Sequence, residues 1–411
     1  MLHWMSLALT LTLTTAVWAQ KSHDVVEETL YHDFQKSILE GQDKSNSLVG
    51  FSSFDQSLFV DALWDMADEN SPEALAFLEN EIPLHYDLVQ KLRLGILRIK
   101  YNRANVLPED VSAEISSALK SPQVDLKIVY LIAAYESELM KTGHKSMIEL
   151  ARKHGSYYDI IDDADRVKDI TTDEVADLFN MTPDVTTYMN GEYVKSVKIF
   201  MFCRNNRLFP CLMVMKNVHG EAVRLENGTL WSNPSLASSA RGLPSYQRNG
   251  NTPEGVLTID SVMPSADQQT SYGKFRRMIL NFVPKSKNES LIKSLLPASS
   301  HESEWWRNGV VSRDIGRNLL RIHGTGKINL DPTTPYFPFM RTSGCIAQKE
   351  NTYDGVTFQN QRNLLDSVMK AMDMAPTYAN EPNIKGLLYI IEIDDKNAAV
   401  ELEDLALRGI E

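Results

Sequence analysis

The chain has 411 residues, beyond the roughly 250–300 at which single hydrophobic cores stop growing, so two domains are expected. Its formal charge of -12 excludes the basic footprint that nucleic-acid binding requires. A hydrophobic content of 43% is ordinary for a globular protein, so each half can bury a core.

Residues 1–19 read as a secretory signal peptide. Leu7, Leu9, Leu11 and Leu13 form its apolar centre, and Val17-Trp18-Ala19 sets small residues at the two cleavage-recognition positions. Positive charge ahead of it comes only from the amino terminus and His3. As an uncleaved anchor the run falls short of the roughly 20 residues that span a bilayer, so no transmembrane anchor is expected after cleavage. The expected location is the periplasm or cell envelope, an oxidising compartment.

Residues 21–180 read as a helical domain, either an antiparallel bundle or a short array of helical repeats. Leu58-Phe59, Leu63 and Met66 recur at helical spacing, as do Leu88, Leu92, Ile96 and Ile99, then Leu126, Val129-Tyr130 and Ala133-Ala134. Ser71-Pro72 and Ser121-Pro122 look like helix starts, with serine as the cap and proline at the first helical position. Asp159, Asp162, Asp163 and Asp165 lack the alternating ligands and central glycine of a calcium loop and read as a solvated face or linker. The acidic stretch from Thr171 to Tyr193 reads as the domain junction.

From 190 to 396 the pattern turns to β. Val194, Val197 and Ile199 to Phe202 begin it, and Leu212 to Met215 continue it. Cys203 and Cys211 stand eight positions apart around Arg204-Asn205-Asn206-Arg207; a hairpin would bring them within bridging distance, and two separately buried thiols are the alternative. Thr252-Pro253-Glu254-Gly255 is a turn feeding the strand-like Val256-Leu257-Thr258-Ile259, and the run Tyr272 to Phe282 contains another strand. Residues 284–317 look like an insertion carrying Trp305-Trp306; they serve either as a lid with a substrate-binding surface or as a surface excursion packed on the domain. Gln359 to Met374 reads as one amphipathic helix, Gly386 to Ile393 as a closing buried strand, and 397–411 as an acidic tail that packs or frays.

Between these elements lie His323-Gly324-Thr325 and, about twenty positions on, Thr342-Ser343-Gly344-Cys345-Ile346. A thiol at a Gly-Cys turn exposes its sulfur, the amides around Gly344 and Cys345 can face an oxyanion, and an imidazole can take the thiol proton. Such a pair performs acyl transfer. If Cys203 and Cys211 pair, Cys345 is the odd free thiol that marks a reactive site in an exported protein.

The two motifs, with the Thr-Pro-Glu-Gly turn and the Tyr272–Phe282 run before them in order, resemble the L,D-transpeptidase catalytic domain of bacterial cell-wall enzymes, the YkuD-type fold. The resemblance implies a multidomain α and β protein, with a helical N-terminal domain before a mainly-β catalytic domain. It implies Cys345 as nucleophile and His323 as base then acid, with Gly344, Ser343, Thr342 and Gly324 lining the site; Tyr272 and, from the insertion, Trp305 and Trp306 are the substrate-binding candidates. The substrate implied is a peptidoglycan stem peptide, attacked at its third residue to give a thioester, with no metal or organic cofactor. An amine acceptor then yields a 3-3 cross-link, and water yields L,D-carboxypeptidase trimming. The chain departs from the family at Ser343, where most members carry a second histidine, and at Ala347-Gln348, where Arg or Asn is frequent. A cell-wall scaffold on the same fold is the reading of another class, and the helical domain leaves room for an envelope protein partner.

Overall fold

The computed structural model describes residues 60, 63–64, 78, 86–155, 170–181, 193, 195–283, 289–303, 305–353 and 355–411. The signal over 1–19, the helix start at Ser71-Pro72 and the acidic cluster at 159–165 lie outside them. The chain divides into two compact units, Met1–Asn80 and Glu81–Glu411. The second holds the helices from Leu88 onward together with the whole sheet, so the boundary expected between 180 and 190 falls inside it.

The first helix of that unit, Leu88–Lys100, starts where the Asp87 carboxylate accepts from the Gln90 N–H at 2.8 Å and the Gln90 side chain accepts from the Asp87 N–H. This reciprocal box satisfies two amides that the first turn cannot. Leu92, Ile96 and Ile99 are buried along it; the helices Glu109–Ala118, Leu126–Ala134 and Glu136–Lys141 pack on it, and Lys145–Arg152 packs on those three. Burying each such aliphatic side chain contributes about 1.5–3 kcal/mol. Ser121-Pro122 does not start a helix. The Ser121 hydroxyl instead accepts from the Gln123 N–H in a turn, and Asp125 caps the helix that begins at Leu126. An aspartate next to the apolar run outcompetes a serine four residues earlier, because a cap must sit within the first turn.

The sheet is mixed and eight-stranded, in the order β3 (Ser232–Ser235), β2 (Cys211–Lys216), β1 (Val197–Arg204), β10 (Lys385–Asp394), β4 (Gly255–Val262), β5 (Met278–Phe282), β6 (Arg321–His323) and β7 (Ile346–Ala347). β1 pairs parallel to β10 and β6 parallel to β7; the other pairs are antiparallel. β8 (Glu350–Tyr353) and β9 (Val356–Gln359) form a separate hairpin. The strand that closes the chain pattern, β10, lies in the middle of the sheet, which explains its near-continuous apolar run.

Helical layers cover both faces. On one, Phe200, Phe202, Val214, Val256, Tyr389 and Ile391 meet the Thr172–Asn180 helix, Ile292, Leu295, Leu296, Trp305 and Trp306, and the C-terminal Val400, Leu405 and Ile410. On the other, Ile199, Met201, Met213, Leu257, Ile259 and Ile390 meet Leu364, Leu365, Val368 and Met369 of the Asn360–Ala371 helix. The region is thus mixed α and β, with an N-terminal helical part before it. The junction helix Thr172–Asn180 is core, since Val175, Leu178 and Phe179 are buried on the sheet. The acidic tail packs as well: its Asp404 joins Asp394 of β10 in pairing with Arg204, whose side chain is almost wholly buried. No helix among the described residues is long and apolar enough to cross a membrane.

Candidate functional site

The site lies where β5, β6 and β7 form the edge of the sheet. Ile322 pairs with Ile346 and His323 with Ala347 in parallel register. Both isoleucines enter the apolar cluster under the Asn360–Ala371 helix. Alternation then puts Arg321, His323 and Cys345 on the opposite face, with the thiol a diagonal neighbour of the imidazole. Gln361 of that helix pins β6 from below, donating to the Ile322 carbonyl at 3.1 Å.

Cys345 is half-buried, and its thiol donates to the Leu319 carbonyl at 3.7 Å. Leu319 holds a left-handed φ of 58°, a conformation that costs a non-glycine residue on the order of 1 kcal/mol or more and that aims this carbonyl. The preceding Gly344 has φ 107°, and a Cβ there would lie 2.4 Å from Arg317 Nη2 and 2.5 Å from the Gly250 oxygen. Only glycine fits such a turn. Thr342 shapes it: its hydroxyl donates to the Cys345 carbonyl at 2.6 Å and accepts from the Gly344 N–H at 3.2 Å. The Gly344 amide is therefore engaged and not free for an oxyanion, as the motif alone suggested. Thr252 of the Thr-Pro-Glu-Gly turn donates to the Gly344 carbonyl at 2.8 Å, so that turn secures the Cys345 loop besides starting β4. Ser343 is exposed.

His323 is buried, and its Nδ1 bonds the Gly324 carbonyl. A carbonyl only accepts, so Nδ1 carries the hydrogen and Nε2 the basic lone pair of the neutral ring. The Tyr272 ring stands edge-on at 5.1 Å between centroids and sets the plane of the imidazole. Glu350 packs against both Gly324 and Gly273: a Cβ on either would meet its carboxyl group, at 2.1 and 2.4 Å, and displace it. Glu350 accepts from the Lys274 N–H at 2.9 Å, and burial pushes its carboxyl up.

Three arginines surround the sulfur. Burial pushes the Cys345 thiol up, and the Arg321 guanidinium and backbone N–H, then Arg317 and Arg277, pull it back. Burial brings Arg321 down to about 10, which leaves it a cation at neutral pH. Burial carries His323 down to about 4; the Gly324 carbonyl opposes this, and Arg277 and Arg321 add to it. The resting pair is a neutral thiol and a neutral imidazole. Such a pair could attack a carbonyl only with base assistance at the moment of reaction, since it holds no standing thiolate–imidazolium pair.

The loop from 244 to 251 walls this site, and the N-terminal helices hold it. Arg317 Nη1 donates to the Asn251 carbonyl at 2.6 Å and Nη2 to that of Gly250 at 3.0 Å. On the loop's far side Arg248 donates to the Tyr101 hydroxyl at 2.9 Å, and Gln247 to the Ala134 carbonyl at 2.9 Å.

The structure thus gathers Cys345, His323, Gly344, Thr342, Gly324 and Tyr272, with Ser343 at the surface. Trp305 and Trp306 are not part of the site. Both are buried in the sheet core, where Trp305 Nε1 donates to Glu174 at 3.1 Å and Trp306 Nε1 to the Ser300 carbonyl at 3.0 Å. The lid expectation for 284–317 fails because these rings fill the space under the Thr172–Asn180 helix, with residues 284–288 and 304 outside the described set. Gln348 is likewise structural, bonding Asn233 at 2.6 Å and Ser235 at 2.7 Å. Cys203 and Cys211 form a disulfide across the β1–β2 hairpin, and Cys345 is a free cysteine. Sequence reasoning missed Glu350, Leu319 and the arginines 277, 317 and 321. The only local trace of Glu350 is the repeated ring-glycine pair, Tyr272-Gly273 and His323-Gly324. The chain matches no protein-family model, and no curated protein or solved structure shows significant similarity to it.

Proposed function

We propose that the protein is an exported cysteine acyl-transferase of the periplasm or cell envelope, acting on peptidoglycan stem peptides as an L,D-transpeptidase. The observation that carries this reading is the parallel pairing of β6 and β7, which sets the Cys345 thiol diagonal to an imidazole whose Nδ1 is tied to the Gly324 carbonyl and whose Nε2 is basic. On attack the thiol leaves the Leu319 carbonyl, passes its proton to His323 Nε2 and forms a bond from Sγ to the scissile carbonyl carbon. With the Gly344 N–H engaged, the Cys345 amide and the Arg321 cation are the groups that meet the oxyanion. His323 then protonates the leaving amine, and a thioester remains. An amine from a second stem closes a cross-link, and water gives trimming. With Trp305 and Trp306 in the core, the case for trimming rests on Ser343 alone.

Incubation of purified stem peptides with the wild-type chain, followed by mass analysis, tests the reading. Products of dimer mass are expected, and none from Cys345→Ala. Equal processing by both proteins would sink the mechanism, and an inert thiol in the folded protein would favour a scaffold.

A further inference from the structure

β5 runs antiparallel to β6 with Met278 opposite Ile322, which sets Arg277 opposite His323 at the site end of the strand. The Arg277 side chain is 4% exposed, and its guanidinium lies 4.2 Å over the Tyr272 ring, the ring that abuts His323. Nη2 donates to Asp267 at 2.7 Å. Nη1 is buried and has no hydrogen-bond partner among the described residues. Buried donors are nearly always satisfied, and a charged one left unpaired opposite the His323 of the candidate site marks a place where an acceptor belongs. The charged groups around the sulfur are all arginines, in a chain whose net charge is -12.

We propose that Arg277 Nη1 is an anion subsite that holds a carboxylate of the acyl donor next to Cys345. This deepens the acyl-transfer reading and rests on it. When the thiol attacks an amide and expels an amino acid, the carboxylate of that amino acid stands three bonds from the scissile carbon. A cation fixed across from His323 then selects donors with a free terminal carboxylate over amidated or extended ones, because an uncharged end leaves the buried guanidinium edge unpaired.

Thiol alkylation tests the subsite without needing the natural donor. Iodoacetate and iodoacetamide both form a bond from Sγ to carbon and release iodide; they differ in one carboxylate. Their rate ratio at Cys345 cancels any effect on thiol ionisation, which acts on both reagents alike. In the full-length, disulfide-bonded chain the ratio of iodoacetate to iodoacetamide is expected to exceed that of the same chain in urea by roughly tenfold and to fall with added salt. Arg277→Gln should remove most of the excess, and Arg277→Lys should restore part of it. A folded ratio no higher than in urea, or an excess untouched by Arg277→Gln, would overturn the subsite. If Arg277→Gln does not fold, the wild-type ratio and its salt dependence still decide. Iodoacetamide labelling without anion preference rejects the subsite and leaves acyl transfer standing, whereas a folded chain inert to both reagents rejects the two together.

Discussion

Cys203 lies inside the eight-stranded sheet and Cys345 at its edge, and they meet opposite surroundings. Cys203 lies in β1, next to the central strand, wholly buried among Met201, Met213 and Leu388 and bonded to Cys211 on the neighbouring strand. Cys345 stands one residue before the edge strand β7, half-buried, with Leu319 O as its acceptor and arginines as its charged neighbours. One sulfur is held by apolar contacts and a covalent partner, and it has no proton to give. The other is free, and three cations favour its ionised form against burial. The comparison shows that position in the sheet decides what a cysteine can do: an interior strand offers apolar neighbours, and an edge offers loops that bring charge.

The largest expected effect comes from removing the reactive member. Cys345→Ala should abolish stem-peptide turnover and iodoacetamide labelling while moving thermal unfolding little, because a small, half-exposed side chain is lost. Next, His323→Ala should slow turnover by about 10²–10⁴-fold; a loss under about threefold would strip the imidazole of its role as base. Away from the site, Trp306→Ala should cost about 3–5 kcal/mol in denaturant unfolding without changing the anionic-to-neutral alkylation ratio of the fraction that folds. A shifted ratio with stability kept would restore the lid.

Protonation gives a further contrast. His323 is held at about 4 in the fold against about 6.5 unfolded, so between those values the unfolded chain binds more protons. Its contribution is therefore full above pH 6.5 and drains away as pH falls toward 4, by on the order of 3 kcal/mol. His323→Gln should flatten that part of the stability curve; an unchanged slope would mean that the ring is solvated. The smallest effect is expected at the structural pair. Replacing both Cys203 and Cys211 by alanine should cost about 2–3 kcal/mol for a loop of this length and leave turnover intact. Non-reducing thiol counting on the denatured wild-type chain should find one thiol, and three would remove the comparison's first term.

Much of this molecule is legible in local pattern. The spacing of Leu88, Leu92, Ile96 and Ile99 marks a helix, and Gly386 to Ile393 marks a buried strand, because periodicity reports which faces meet the core. Cys345 and His323 stand out because a thiol and an imidazole beside glycine are rare in apolar runs, and the hairpin spacing of Cys203 and Cys211 suits a cross-strand pair. Other features depended on which distant strands pair. Pattern alone places β10 last in the chain, whereas pairing with β1 and β4 makes it central. Trp305 and Trp306 carry the same apolar area whether they line a cleft or fill a core, and only the helix Thr172–Asn180 packed over them decides between the two. Arg277, Arg317, Arg321 and Glu350 lie on four different segments, and single charged residues carry no periodic signal. Composition and short-range pattern determined the elements and the candidate nucleophile. Register between strands far apart in sequence determined the charge around it, because electrostatic environment is a property of neighbours in space.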